Sequence, residues 1–349
     1  MANDNPNIAG FRKQALSCRW LNSPLTASVI EAAVDVLDDS SETGRRILGW
    51  NGDPLVDALP LRLAGGLHAL ARRGDMPTLT ALYRGDGDDF TGAVRAAIAE
   101  HDAWLSAWLD SPPQTNEVGR SGALMAGLMA AAGRLNMPIQ LLELGSSAGL
   151  NLNLDRFGYV LGARTAGPSD AAVQIAPNWT GDAPSGVWPV ITARAGVDLR
   201  PVDVSDDAVA ERLIAYCWAD QSERVARLEA AIAVARAFPP HVAQGDAADW
   251  LDKQLSTPQA SGTMRIVMHS VFWQYLPQGS RDRITAIMNQ AGESATAERP
   301  LGWLRFEPGD NLSLMALTLR LWPLGDDLHL ANCHPHGAHI EWLFERHAQ

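Results

Sequence analysis

Cysteine is scarce in this chain of 349 residues: Cys18, Cys217 and Cys333 are the whole complement. An odd count at wide spacing excludes a disulfide framework and suits a reducing compartment, so a cytoplasmic protein is expected. The opening stretch, MANDNPNIAGFRKQ, lacks the apolar centre of a signal peptide. No run of about eighteen apolar residues suggests a membrane span. Charge is sparse, at 19% of residues, and biased: 28 basic side chains against 40 acidic, a net charge of −12. That shortage of cations argues against nucleic acid phosphates and anionic membranes as partners. The sequence lacks an H-E-x-x-H helix, a Gly-x-Ser-x-Gly hydrolase turn and a phosphate loop with its lysine. What it has is 46% hydrophobic residues, enough for a sizeable core, and length for about two domains.

The texture changes once. Up to residue 137 the apolar residues recur three and four apart, as in ASVIEAAVDVLDDS and LPLRLAGGLHALARRG, the latter closed by a glycine stop. FTGAVRAAIAEHDAWLSAWLDSPP and RSGALMAGLMAAAGRLNMP continue the pattern, so an all-helical domain is expected over 1–137. From Ile139, short apolar runs alternate with helical segments. IQLLEL, AGVDLRPVDV, HVAQGDA and MRIVMHS read as strands, SERVARLEAAIAVARAF as a helix, and SRDRITAIMNQAG as a helix capped by Ser280. LGWLRFEP, LSLMALTLRLW and DLHLANCHPHG add strands without helices between them. The expected fold is α/β over 138–349: a mostly parallel, Rossmann-like sheet with an antiparallel hairpin at one edge. A stretch rich in Gly, Pro and Trp, at about 156–192, is expected to be a β-rich insertion.

LLELGSSAGLN, Leu141–Asn151, points to a ligand. A strand ending in Gly145 and feeding a helix near Gly149 is expected to expose backbone N–H groups at the carboxyl edge of the sheet. A pyrophosphate would call for G-x-G-x-x-G, whereas here Glu143 precedes Gly145 and the third glycine is missing. An acid at that place suits a ligand carrying an ammonium or hydroxyls, such as S-adenosylmethionine. Asp198 in GVDLRP stands where a carboxylate would accept from ribose hydroxyls, and Asp246 in GDAADW where one would accept from an adenine amino group. Each acid is also readable as a turn residue or helix cap, and for Asp198 that reading is favoured, because the insertion sets it much farther from Gly149 than the roughly twenty residues of the comparable dinucleotide fold. The order of these features follows class I methyltransferases.

TNEVGRSG, from Thr115, sets Asn116, Glu117 and Arg120 at one helix start, either as a capped ion pair or as groups orienting a substrate. HSVFWQYLP places His269 near a strand's carboxyl end, followed by Trp273, Gln274 and Tyr275, which are core aromatics or a surface for a flat substrate. CHPHGAH clusters Cys333, His334, His336 and His339. The spacing is poor for tetrahedral zinc and no distant Cys-x-x-Cys pair completes a cage, so no metal is expected and His334 and His336 read as acid/base or buried hydrogen-bonded groups.

Together TNEVGRSG, LLELGSSAGLNLNLDRFGY, DQSERVARL, GDA, HSVFWQYLP and CHPHGAHIEWL resemble domain-of-unknown-function family 2332, a group of uncharacterised bacterial proteins, over nearly the whole chain. The resemblance implies a class I methyltransferase-like domain behind a helical region and supplies no substrate. On this reading Glu143, Gly145, Ser146, Gly149, Asn151, Asp198 and Asp246 hold S-adenosylmethionine. Asn116, Glu117, Arg120, Trp273, Gln274 and Tyr275 face a small-molecule acceptor, and His269, with His334 or His336 second, moves a proton. The alternatives are a methyltransferase-like protein that binds ligand without turnover, and a nucleotide-cofactor oxidoreductase. The oligomeric state is not legible.

Overall fold

The computed structural model describes residues 5–114, 116–309 and 314–344. Six helices open the chain: α1 (Pro6–Trp20), α2 (Pro24–Val36), α3 (Glu42–Leu48), α4 (Leu59–Arg73), α5 (Pro77–Arg84) and α6 (Phe90–Trp108). Proline sits in the first turn of α1, α2, α4 and α5, where its missing N–H leaves no gap in the helix ladder. The expected glycine stop is Gly74, at φ 74°, a conformation that favours glycine. α7 (Ser121–Leu135) follows, then β1 (Ile139–Leu144), a 3-10 segment at Leu150–Arg156, and the short strands β2 (Gly158–Leu161), β3 (Arg164–Ala166), β4 (Gln174–Ile175) and β5 (Asn178–Thr180). Next come β6 (Ile191–Asp198), α8 (Asp207–Ala215), α9 (Ser222–Ala237), β7 (Val242–Gln244), α10 (Ala247–Ser256), β8 (Met264–Ser270) and α11 (Gln278–Glu293). The chain then runs through β9 (Leu301–Pro308), β10 (Met315–Trp322), β11 (Asp326–Cys333) and β12 (His339–Trp342). Among the described residues no helix is long and apolar enough to cross a membrane.

Two compact units form: residues 1–115 with 205–226, and residues 116–204 with 227–349. This division departs from a boundary at 137/138, for two physical reasons. α7 packs on β9, β10 and β11, and a Cβ on its Gly127 would come within 2.5 Å of Leu304. The segment 205–226 returns to the helical unit, where α8 packs on α4. The Asp220 carboxylate there accepts from the N–H groups of Leu25 and Thr26 (2.7 and 3.0 Å) and from the Thr26 hydroxyl (2.8 Å). It caps α2, whose own cap residue Ser23 makes no such bond. Asp220→Ala is therefore expected to lower the stability of the helical unit by about 2 kcal/mol, read by urea unfolding.

The second unit is mixed α/β around a large, mostly parallel sheet, ordered β5-β12-β11-β10-β9-β8-β1-β6-β7. β7, β6, β1, β8 and β9 run parallel. The antiparallel part is not an edge hairpin: β10, β11 and β12 continue from β9 as a meander, and β5 pairs parallel with β12 beyond them. The segment at 156–192 supplies both β5 and a separate sheet, β3-β2-β4. The AGVDLRPVDV strand ends at Asp198, and α11 starts before Ser280, whose N–H donates to the Pro277 carbonyl (3.0 Å). Leu142, Leu144, Val197 and Val267 pack under α10 and α11, while α7 packs on β9, β10 and β11. Burial on both faces explains why β1 and β8 are mostly apolar, interrupted by Gln140, Glu143, Arg265 and His269. From β1 the chain moves to β6 and β7, then returns to β8 and β9 on the other side. Strand order thus reverses between β1 and β8, and such a reversal opens a crevice at the strands' carboxyl ends.

Candidate functional site

The glycine turn lies at this reversal, but its backbone is not bare. Gly145 and Ser146 donate to the Val197 carbonyl (2.9 and 3.1 Å), Ser147 to Asp198 Oδ2 (2.8 Å), Gly149 to Ser146 O (2.7 Å) and Leu150 to Asn116 Oδ1 (3.1 Å). A 3-10 segment follows in place of the expected helix. Gly145 and Gly149 adopt φ 67° and 68°, and their missing side chains make room for this chain's own groups. A Cβ on Gly145 would come within 2.2 Å of the Phe272 ring, and one on Gly149 within 2.8 Å of Val242. Ser146 also turns away from any ligand, because its hydroxyl lies between the carbonyls of Glu143 and Val197 (3.2 and 3.1 Å). The space beside Gly145 and Gly149 and the hydroxyl of Ser146 are thus taken up by the chain's own groups.

What the turn presents is a set of buried polar atoms without partners: Glu143 Oε2, Ser147 Oγ and Asn151 Oδ1. Buried polar atoms in folded proteins are almost always hydrogen-bonded, so such a cluster calls for an explanation. Ser147 stands at φ 53°, rare for a residue other than glycine, and strain of this kind gathers at functional sites. Glu143 is 2% exposed. Burial pushes its carboxyl up to about 8, the nearby Asp198 carboxylate adds to the rise, and the Arg120 guanidinium opposes it. All three unpartnered atoms can accept a hydrogen bond, so the cluster suits a ligand rich in donors.

Arg120 draws three sequence motifs together. Buried itself, it donates from Nε to the Pro335 carbonyl (2.9 Å) and from Nη1 to the Ser270 carbonyl (3.3 Å). Gly119 and Gly337 are pressed so closely that a Cβ on Gly337 would come within 2.4 Å of the Gly119 carbonyl. Asn151 Nδ2 donates to the Glu117 carbonyl (3.4 Å). The Glu117 side chain accepts from the Gly119 N–H (3.0 Å) and lies 3.8 Å from Arg227, so it braces the turn at Val118–Arg120. Thr115, where this motif begins, lies outside the described residues.

His269 is fully buried and both its nitrogens are taken. The Trp303 indole N–H can only donate, so Nε2 accepts it (3.0 Å) and Nδ1 carries the proton toward Glu307 (2.6 Å). This removes His269 from a direct acid/base role. Glu307 also accepts from the N–H groups of Phe272 and Trp273 (3.1 and 3.2 Å), fixing the loop that lays Phe272 against Gly145. Val271, on the same loop, has φ 49°. Trp273 stacks on His269 (5.2 Å, 14°), whereas Gln274 is exposed and Tyr275 is 74% exposed.

Asp198 closes β6, the strand beside β1, and its carboxylate accepts from Ser147 and Arg200 N–H (both 2.8 Å). Asp246 follows β7 and caps α10 through the N–H groups of Ala248 and Asp249 (2.9 and 3.0 Å). His334 and His336 occupy the half-buried turn between β11 and β12, with His334 Nδ1 accepting the His336 N–H (3.1 Å). The three cysteines are free and buried. Among the described residues no group of three His, Cys, Asp or Glu is placed to hold a metal.

Glu307 and Ser147 escaped the sequence reading. Glu307 carried the same signal as Asp198, an acid at a strand's carboxyl end. Ser147 stands next to Ser146, and only the phase of the turn decides which of the two faces the cluster.

The architecture is that of a mixed α/β protein with a polar cluster where strand order reverses. The family model "Uncharacterized protein conserved in bacteria (DUF2332)" matches residues 9–342, and the chain belongs to that family. No curated protein and no solved structure matches it.

Proposed function

We propose that the protein is an S-adenosylmethionine-dependent methyltransferase acting on a small molecule. The observation that supports it best is the buried trio of unpartnered acceptors, Glu143 Oε2, Ser147 Oγ and Asn151 Oδ1, at the reversal of strand order. An ammonium and ribose hydroxyls supply the donors these atoms lack. Glu143 would take the amine, Asp198 the ribose and Asp246 the adenine, each on lone pairs its present bonds leave open. Bound there, the cofactor supplies an electrophilic methyl on a sulfonium. The chain's own residues supply alignment: Arg120, Asn116 and Glu117 hold the turn, while Glu307 and His269 hold the loop carrying Phe272. His334 and His336 are the side chains we assign to a proton that an acceptor must lose.

A dinucleotide fits less well. Its pyrophosphate would face Glu143, and the 3-10 segment, with its first amide bonded to Asn116, lacks the open helix N-terminus that binds phosphate. The test is calorimetric titration with S-adenosylmethionine and S-adenosylhomocysteine. Saturable binding is expected for the wild type, weakened at least about tenfold in Glu143→Gln. No binding to the wild type would remove the proposal. Binding without turnover on a broad acceptor panel would favour a ligand-binding protein of the same fold.

A further inference from the structure

A cavity of about 770 Å³ lies over β9, β10 and β11, and Glu143, Ser147 and Asn151 do not line it. Its size falls within the range of small-molecule pockets, roughly 300–1,000 Å³. Trp273, Trp303, Arg305, Arg320, His329 and Asn332 are among its lining residues. The alternation of the strands explains the grouping. Trp303, Arg305 and Glu307 point to one face of β9, and Thr318 and Arg320 of β10 stand opposite them, in register with Arg305 and Trp303.

The chemistry of the lining is specific. Trp273 and Trp303 meet edge to face, 5.8 Å apart at 64°, and so form one continuous apolar wall. The Arg305 guanidinium lies 4.8 Å from the Trp303 ring, and that of Arg320 lies 4.6 Å from Trp322. Ring stacking holds such a group flat and leaves its N–H edge for an anion. Arg305 is tied by Nε to the Thr318 hydroxyl (3.0 Å) and by Nη2 to the exposed Asp327 (3.3 Å). Arg320 reaches Asn289 with Nη1 (3.4 Å), but its Nε is buried without a partner. Among the described lining residues the carboxylate is Glu307, which already accepts from His269, Phe272 and Trp273. Among the described residues the lining thus carries two guanidinium groups, Arg305 already paired with Asp327 and Arg320 with no carboxylate bonded to it. Burial also lowers the pKa of Arg305, as expected for a cation held partly out of water.

We infer that this cavity binds a small aromatic carboxylate, its ring against the wall that Trp273 and Trp303 form and its carboxylate on Arg320 and Arg305. The inference stands apart from methyl transfer, and its test needs no S-adenosylmethionine. The full chain is titrated by calorimetry with 2-naphthoate and with methyl 2-naphthyl ketone, a neutral molecule of similar shape. Saturable one-to-one binding of the naphthoate is expected, at least about tenfold tighter than the ketone, with the preference lost in Arg320→Gln. Arg320→Lys, which keeps the charge without the fork, is expected to fall between the two and serves if the glutamine variant does not fold. Failure of the wild type to bind naphthoate saturably would overturn the inference. So would equal affinity for the ketone, or an undiminished preference in the variants.

Discussion

Glu143→Gln is expected to stabilise the sheet unit at pH 8 and to leave it almost unchanged at pH 4.5. The reason is the burial of the carboxyl, which raises it from 4.5 to about 8. Below pH 4.5 the group is protonated in both folded and unfolded chains and costs nothing. As pH rises toward 8 the unfolded chain gives up its proton while the folded chain retains it, so stability drains away across that window. Each pH unit of mismatch is worth about 1.4 kcal/mol, so the loss approaches about 3–5 kcal/mol by pH 8. Glutamine does not titrate and escapes this loss. Urea unfolding of both proteins at pH 4.5, 6 and 8 measures the effect, and a gap that does not widen with pH would contradict it.

Gly145→Ala is expected to cost about 2–4 kcal/mol, by two separable routes. Its φ of 67° is unfavourable for any residue with a Cβ, by about 1–2 kcal/mol. The new methyl would also collide with the Phe272 ring, 2.2 Å away. In a Phe272→Ala background only the first route remains, so the cost of Gly145→Ala should fall by about 1 kcal/mol or more. Equal cost in both backgrounds would mean that Phe272 does not rest on this turn in solution.

These two residues also show what the sequence displays and what it hides. Mostly apolar runs such as IQLLEL and MRIVMHS mark β1 and β8, because a strand buried on both faces is apolar except where a polar side chain such as Glu143 or His269 has a task. Asp198 stands legibly at a strand's end, beside β1 despite the long insertion before it. Glu143 was legible for the same local reason, as an acid one residue before the strand's last position. The use of Gly145 was not. A glycine after a strand says that a side chain is unwelcome, but not whether a ligand or Phe272 fills the space. The bond from Leu150 to Asn116, 34 residues earlier in the chain, has no periodic signature either. The same holds for the carboxylate of Glu307, which occupies both His269 and the loop amides. Periodicity reports which face of an element is buried, not which distant side chain meets it. The return of residues 205–226 to the helical unit depends on such a meeting, the capping of α2 by Asp220.

Proton release on binding tests the central claim most directly. At pH 7 a carboxyl titrating near 8 is about nine-tenths protonated, and an ammonium placed against it would drive that proton off. Calorimetric titration with S-adenosylmethionine in buffers of different ionisation enthalpy should report net release of most of a proton, about 0.7–0.8, at pH 7 once the roughly 0.1–0.2 proton taken up by the ligand's own amine is counted, and no release from Glu143→Gln. Binding that releases no proton at pH 7, or no binding at all, would contradict the account.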